Sequence, residues 1–419
     1  MGDYAIMVLQ KTIIKDYCQN EIKNEWLVCK DSFPLFLIAI SNETKSENEK
    51  NIQTISADLR QQVDNFSRFP IGRKRWKRKA LNSFKKVLST ESILGTHRFL
   101  NQQTLDAFQE ELMEFLRQAR RFSPELSIDG IGQAIRNYIV YLMFNELNQV
   151  KYGFNTACFG YSMLYPFTDN FIDSNEYSHE EKKQYNQMIR DKIEGKVIHP
   201  ASIHQKKTCD LLQAIESKYP RDNDSTVFNL LLMMLEAQEA SLLQQNTIST
   251  LTSEERLDIS LYKGGISVLI DRFFVEKEIT EEDLLFYLEF GFFLQLADDL
   301  RDIDEDNKNG NQTIFTLDLQ FEQQEKIVNK MLHFLQQIMD SYQAENSFFK
   351  SFVLANCYQL IYLSVAGSKC FFSKEYLDKL ENYINVTYLF LENSGDILPK
   401  NNKKGKENNY MKLLDEMIF

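Results

Sequence analysis

Residues 294–315 read LQLADDLRDIDEDNKNGNQTIF, an apolar helical run that turns acidic and then meets a glycine. Asp298, Asp302 and Asp306 stand four residues apart within it. On a helix that spacing lines three carboxylates along one face, and Asp299, Asp304 and Glu305 sit beside them. Like charges so placed weaken a helix by roughly 0.2–0.5 kcal/mol per pair, and acids near a helix C-terminus also oppose its dipole. A chain that breaks local rules in this way points to a cation that supplies the missing charge. With 60 acids among 419 residues the spacing alone decides nothing, because many acidic helix ends are simply solvated.

A second acidic pair gives the first its meaning. Asp169 and Asp173, in YPFTDNFIDS (165–174), are again four apart and again follow a long apolar stretch (135–167). Between the clusters there is chain enough for several helices to run out and back, which brings the carboxylates face to face across a bundle. Facing carboxylates suit a hard divalent cation such as Mg²⁺, which takes oxygen ligands and bridges protein acids to phosphates. Placed at the mouth of an apolar cavity, such a site ionises a diphosphate, and the protein contributes positioning and electrostatics rather than a nucleophile.

The rest of the chain supports a helical frame. Gly (15) and Pro (7) are scarce, and apolar residues recur at three and four over 108–122, 135–147, 227–243, 284–300 and 324–342. Alternating strands between turn dipeptides are missing, so the spacing predicts an all-α fold. Polar, weakly hydrophobic stretches at 41–55 and 393–409 read as linkers or mobile ends. The expected division is an N-terminal helical extension with a polar linker (1–60), a helical domain (61–393) and a polar C-terminal tail (394–419).

Composition narrows the function classes. A net charge of −12, with no basic stripe on the scale of a nucleic-acid footprint, argues against DNA or RNA as a partner. The one basic run, GRKRWKRK (72–79), reads as a solvated helix start, with contact to an anionic membrane surface or a nucleic acid as the alternative. Six scattered cysteines without a CxxC pair read as reduced thiols, and neither a secretory pattern nor 18 consecutive apolar residues is present. A cytoplasmic protein without a membrane span is therefore expected. HExxH, GxSxG, P-loop and GxGxxG motifs are absent.

At its two acidic motifs the chain resembles the class I terpenoid synthase superfamily, which includes terpene cyclases and trans-isoprenyl diphosphate synthases. Asp169-Asn170-Phe171-Ile172-Asp173 matches the family's D-D-x-x-D except at the second position. GFFLQLADDLRD (291–302) looks like the prenyl synthase form of the second motif, with Gln295 preceding Asp298-Asp299-x-x-Asp302. Asp298, Asp302 and Asp306 also fall in register with the cyclase metal triad, all aspartate where that triad usually has Asn, Ser or Thr, and Glu.

The resemblance covers roughly residues 95 to 390 and implies a helical bundle around an apolar central cavity. It implies Mg²⁺ at Asp169, Asp173, Asp298, Asp302 and Asp306, the first four forming the catalytic set. Diphosphate contacts are implied for Lys263, Arg301 and Lys308, with Arg190 and Arg272 as more distant candidates. A break in the helix before the second motif is also implied, and Gly264 and Gly265 would permit it. Of the aromatics near the motifs (Phe159, Tyr161, Tyr165, Phe167, Phe171, Phe290, Phe293), most are expected in the core, and only those a turn or two before the acids at the pocket, where their faces can stabilise a carbocation.

The expected activity is that of a Mg²⁺-dependent terpene synthase, a carbon–oxygen lyase that ionises a linear isoprenyl diphosphate and cyclises or rearranges the cation. A chain-elongating prenyltransferase is the nearest alternative, although no GKRxRP-like segment stands in 120–140. A head-to-head enzyme of the squalene or phytoene synthase kind, and a non-catalytic helical interaction protein, are the others. The substrate is the expected partner, and a homodimer stays open.

Overall fold

Helices form wherever apolar residues recur at three and four. In the computed structural model they are the regular elements of the described residues, which are 9–66, 70–91, 94–174, 176–222, 225–245, 250–393 and 404–419. α1 (Lys11–Asp16) passes through a π-helical turn (Tyr17–Ile22) into α2 (Lys23–Val28), and α3 (Asn42–Asp64), α4 (Pro70–Thr90) and α5 (Thr96–Phe99) follow. The main body contains α6 (Gln102–Phe122), α7 (Ile128–Leu147), α8 (Thr156–Asp173), α9 (His179–Ile193), α10 (Ile203–Lys218) and α11 (Thr226–Ser241). It continues with α12 (Ser253–Val275), α13 (Glu281–Arg301), α14 (Ile303–Asn309), α15 (Phe321–Ser341) and α16 (Ser347–Gly367). α17 (Lys374–Leu380), α18 (Tyr388–Asn393) and α19 (Lys404–Ile418) close the order. The all-α expectation holds.

Side-chain caps set where the central helices begin. Thr252–Glu255 and Thr280–Asp283 form capping boxes at α12 and α13, and Asn155 accepts from the amides of Ala157 and Cys158 at α8. With its start fixed at Thr280, α13 buries Leu284, Phe286, Tyr287, Leu288, Phe290, Phe292 and Phe293, and it ends among its acids. Gly310, in the left-handed region at φ 73°, stops α14 as a glycine C-cap does.

α12 and α13 lie against each other at the centre. A Cβ on Gly264 would stand 2.3 Å from the carbonyl oxygen of Gly291, and one on Gly291 would stand 2.2 Å from that of Gly264. The backbones therefore touch, which only glycine allows. The helix break implied at Gly264 and Gly265 does not occur. α12 runs unbroken from Ser253 to Val275, and the glycines serve its crossing with α13 instead.

The N-terminal extension is built into this body. Trp26 meets Phe292 and Phe334 edge-on at 5.4 and 5.7 Å, and Lys23 bridges Glu254 and Asp258 at 2.7 Å each. The stretch 41–55 is not a linker but the first half of α3. Ser41 caps it, and Lys45 and Asn48 donate to the carbonyls of Glu381 and Asn385. A boundary at residue 60 falls inside that helix.

Of the expected polar tail, residues 394–403 lie outside the described residues, and 404–418 form α19. Leu413 of α19 packs on Trp76 and Ala80 of α4 in a small second core. Low hydrophobicity concealed both helices, because α3 buries Lys45 and Asn48 through hydrogen bonds rather than an apolar stripe. Two helical stretches, Thr226–Gln245 and Ser347–Gly367, are long and apolar enough to cross a membrane. Both turn apolar residues to the core, Leu230 and Leu231 from the first, Ile361 and Val365 from the second.

Candidate functional site

Asp169 of the first acidic pair and the acids of the second cluster, distant in sequence, meet at one cavity of about 220 Å³. Asp169 lines it from α8, Gln238 and Ser241 from α11, Lys263 from α12, and Gln295, Asp298 and Asp299 from α13. Asp302, the residue joining α13 to α14, completes the wall with Asp306 and Thr313. The side chain of Asp173 lies outside the described residues.

Each acid has a distinct environment. Asp169 is half-buried and accepts hydrogen bonds from Gln238 Nε2 and, at 3.2 Å, from Thr168 Oγ1. Asp298 is exposed, and Arg301 pairs with it and, at 2.9 Å, with Asp302. Asp299 is buried at the edge of the cavity beside the contact of α12 with α13, where Gln295 Nε2 (2.8 Å) and Ser260 Oγ (3.1 Å) donate to it. Burial pushes its carboxyl up to about 7 against the opposing Gln295 bond; the Asp298 charge adds to the rise and Lys263 opposes it. Asp306 is also raised, first by burial and then, against its 2.8 Å bond from Asn311, by the charges of Asp302 and Asp298.

Lys263 is the single cation among the described residues lining the cavity. The other implied cations are placed differently. Arg301 is held by Asp298 and Asp302 and does not line the cavity, so it balances the acids rather than waiting for an anion. Lys308 pairs with Asp304 on the exposed side of α14, away from the cavity. Arg190 and Arg272 pair with Glu239 (2.7 Å) and Asp283 (3.1 Å).

Among the described residues no three His, Cys, Asp or Glu side chains gather closely enough to hold a metal ion by themselves. The donors here are oxygens on two facing walls. That set fits Mg²⁺, which keeps several waters and is bound through one or two carboxylates plus phosphate oxygens rather than by a protein cage. A further polar atom awaits a partner: the buried Oγ1 of Thr313, in the cavity wall, has none among the described residues.

Behind the acids lies an apolar hollow of about 50 Å³, walled by Tyr161, Leu164 and Tyr165 of α8, Ile189 of α9, and Leu231 and Met234 of α11. Asp169 and Gln238 line both spaces, so the acidic cavity and the hollow meet there. The hollow is well below the roughly 300 Å³ at which small-molecule pockets begin, and a chain substrate enters it only if the walls part. Tyr161 and Tyr165 are the two named aromatics at the hollow. Phe290 and Phe293 are fully buried, Phe159 and Phe167 pack in the core, and Phe171 stacks on Tyr177 and His204.

No family model and no curated protein sequence matches the chain. Among solved structures it is similar to the crystal structure of a geranyltransferase from Legionella pneumophila, with 13% identity and a TM-score of 0.30 over 76% of this chain and 98% of that one. At that score the two helical arrangements diverge widely, and the reading of the site rests on its own residues.

Proposed function

We propose that the chain is a Mg²⁺-dependent terpene synthase that ionises a linear isoprenyl diphosphate and leads the cation to a cyclised or rearranged product. The observation that carries this reading is the position of Asp169 and Gln238, which line both a carboxylate-walled cavity and an apolar hollow. An amphiphile with an anionic head and an apolar tail needs that juxtaposition. Mg²⁺, when bound, supplies the charge that lets diphosphate act as a leaving group. Asp169 on one side of the cavity, with Asp298, Asp302 and Asp306 on the other, would provide its oxygen ligands, and the sequence motif adds Asp173 to that set. Gln238 orients Asp169, Arg301 offsets the charge of Asp298 and Asp302, and Lys263 receives the departing diphosphate. Tyr161 and Tyr165 keep water from the hollow and present ring faces to a cation.

Chain elongation requires a second diphosphate beside the first. Among the described residues Lys263 is the single cation lining the cavity, which favours a one-substrate reaction. Incubation of the purified chain with isoprenyl diphosphates of increasing length and Mg²⁺ should yield a hydrocarbon or alcohol and inorganic diphosphate. Asp169→Ala and Asp298→Ala should each lower that turnover by at least about 100-fold while leaving the helical circular dichroism intact. Independently of turnover, Mg²⁺ with inorganic diphosphate should stabilise the fold, by about 2.7 kcal/mol at 100 times the dissociation constant. Full turnover in EDTA overturns the proposal, and a longer diphosphate formed only with added isopentenyl diphosphate reassigns the chain to elongation.

A further inference from the structure

α4 stands apart from the rest of this acidic protein. Between Pro70 and Thr90 it carries eight lysines and arginines and no acid, in a chain of net charge −12. Lys74, Arg75, Arg78, Lys79, Lys85 and Lys86 are exposed, and their spacing gathers them on one side of the helix. The opposite side buries Trp76 and Ala80 against Leu413 and Phe66, and Trp76 Nε1 donates to the carbonyl of Gln62 on α3 at 2.6 Å. The orientation of the cationic face is therefore fixed by packing. Among the described residues Lys74, Arg75, Arg78 and Lys79 make no ion pair, and Lys85 reaches Asp106 only at 3.6 Å.

Exposed apolar side chains lie on the segments next to α4. α3 runs antiparallel beside α4, since Gln62 meets Trp76 and Asn51 donates to the carbonyl of Thr90. One turn apart on α3, Leu59 and Val63 are 41% and 36% exposed. Just past the end of α4, Leu94 is 52% exposed and shares a groove with Ile38, which is 86% exposed. The result is a band of cations about 18 Å long on a helix rising 1.5 Å per residue, with exposed aliphatic residues on the neighbouring helix and beyond one end.

We propose that this face docks reversibly on an anionic lipid bilayer. Lipid phosphates and carboxylates attract the cations, and the interfacial layer accepts exposed aliphatic residues of the neighbouring segments. A nucleic-acid backbone offers the charge but no place for Leu59, Val63 or Leu94. The acidic remainder of the molecule is repelled by the same surface, so the protein settles with α4 towards the lipid. Docking holds no helix within the membrane, and it rests on a face separate from the acidic cavity, so its test is independent of the proposed reaction.

The full chain should sediment with vesicles containing phosphatidylserine and not with vesicles of phosphatidylcholine alone, and added NaCl should release it. Joint replacement Lys74→Glu, Arg75→Glu, Arg78→Glu and Lys79→Glu should lower partitioning at least about 100-fold. The neutral set, with Gln at the same four positions, should lower it less, and Leu59→Ser with Val63→Ser should lower it several-fold at constant salt. Circular dichroism melts establish that each variant is folded, and loss of partitioning counts only in variants that melt like the parent. Undiminished partitioning in the glutamate and glutamine sets, or equal binding to neutral vesicles, overturns the proposal. Tighter binding to an RNA or DNA oligonucleotide than to phosphatidylserine vesicles in the same buffer also overturns it and assigns the face to nucleic acid.

Discussion

Two adjacent aspartates in the second motif do different work. Asp298 is exposed and faces the cavity, whereas Asp299 is buried between α12 and α13 and held by Gln295 and Ser260. Asp169 is likewise held from outside its own helix, by Gln238. Replacing Gln238 with Leu should release Asp169 from its orientation and reduce diphosphate release by about 10- to 100-fold, the usual effect of losing a partner of a metal-binding carboxylate. The melting temperature should hardly move, and an unchanged rate would remove Gln238 from the site. The acids themselves were legible in the sequence, because helical spacing marks a shared face. Their partners were largely not. Gln295, one turn before Asp299, stood within the motif itself, but Gln238 and Ser260 reach their acids from 69 and 39 residues away and leave no local pattern.

Among the elements, the crossing of α12 and α13 fixes the most. Through Gly264, Gly265 and Gly291 the two backbones come into contact, and Lys263 is set beside the acids at the end of α13. Gly291→Ala would drive a methyl group to 2.2 Å from a carbonyl oxygen that cannot move aside. It should destabilise the fold by about 3 kcal/mol or more and lower the melting temperature by a few degrees. A melting curve like the parent's would show that the helices have room to slide. Strongly periodic helices such as α13 and α15 could be read directly from residues 284–300 and 324–342. α3 and α19 could not, since lysine, asparagine, arginine and aspartate side chains join them to the rest. Nor could the role of Gly264 and Gly265 be read, because a glycine pair that breaks a helix and one that lets two helices touch look the same in one dimension.

Across the whole molecule, one contact between the N-terminal helices and the central bundle brings two carboxyl groups together. Glu289 of α13 lies against Glu25 of α2, and burial first, then the hydrogen bond with Glu25, pushes its carboxyl up to about 10. An unfolded glutamate loses its proton near pH 4.3. Between about pH 4.3 and that raised value the folded chain holds a proton the unfolded chain has lost, so this group makes stability fall as pH rises through the window. Glu289→Gln should melt like the parent near pH 4.5 and progressively higher than it towards pH 9. A difference that stays constant with pH would show that Glu289 keeps no such proton. At the other end of the chain, α19 fastens onto α4 and α6 through Leu413, the Arg120–Asp415 pair and the Arg73–Glu416 pair, the last spanning 343 residues of sequence. Contacts so distant form late, because the ends of a long loop must first be brought together. On the ribosome, the part of Trp76 and Ala80 that Leu413 covers would wait bare on the cationic helix until α19 has emerged, and that stretch of α4 would be the part of the newborn chain most in need of a chaperone.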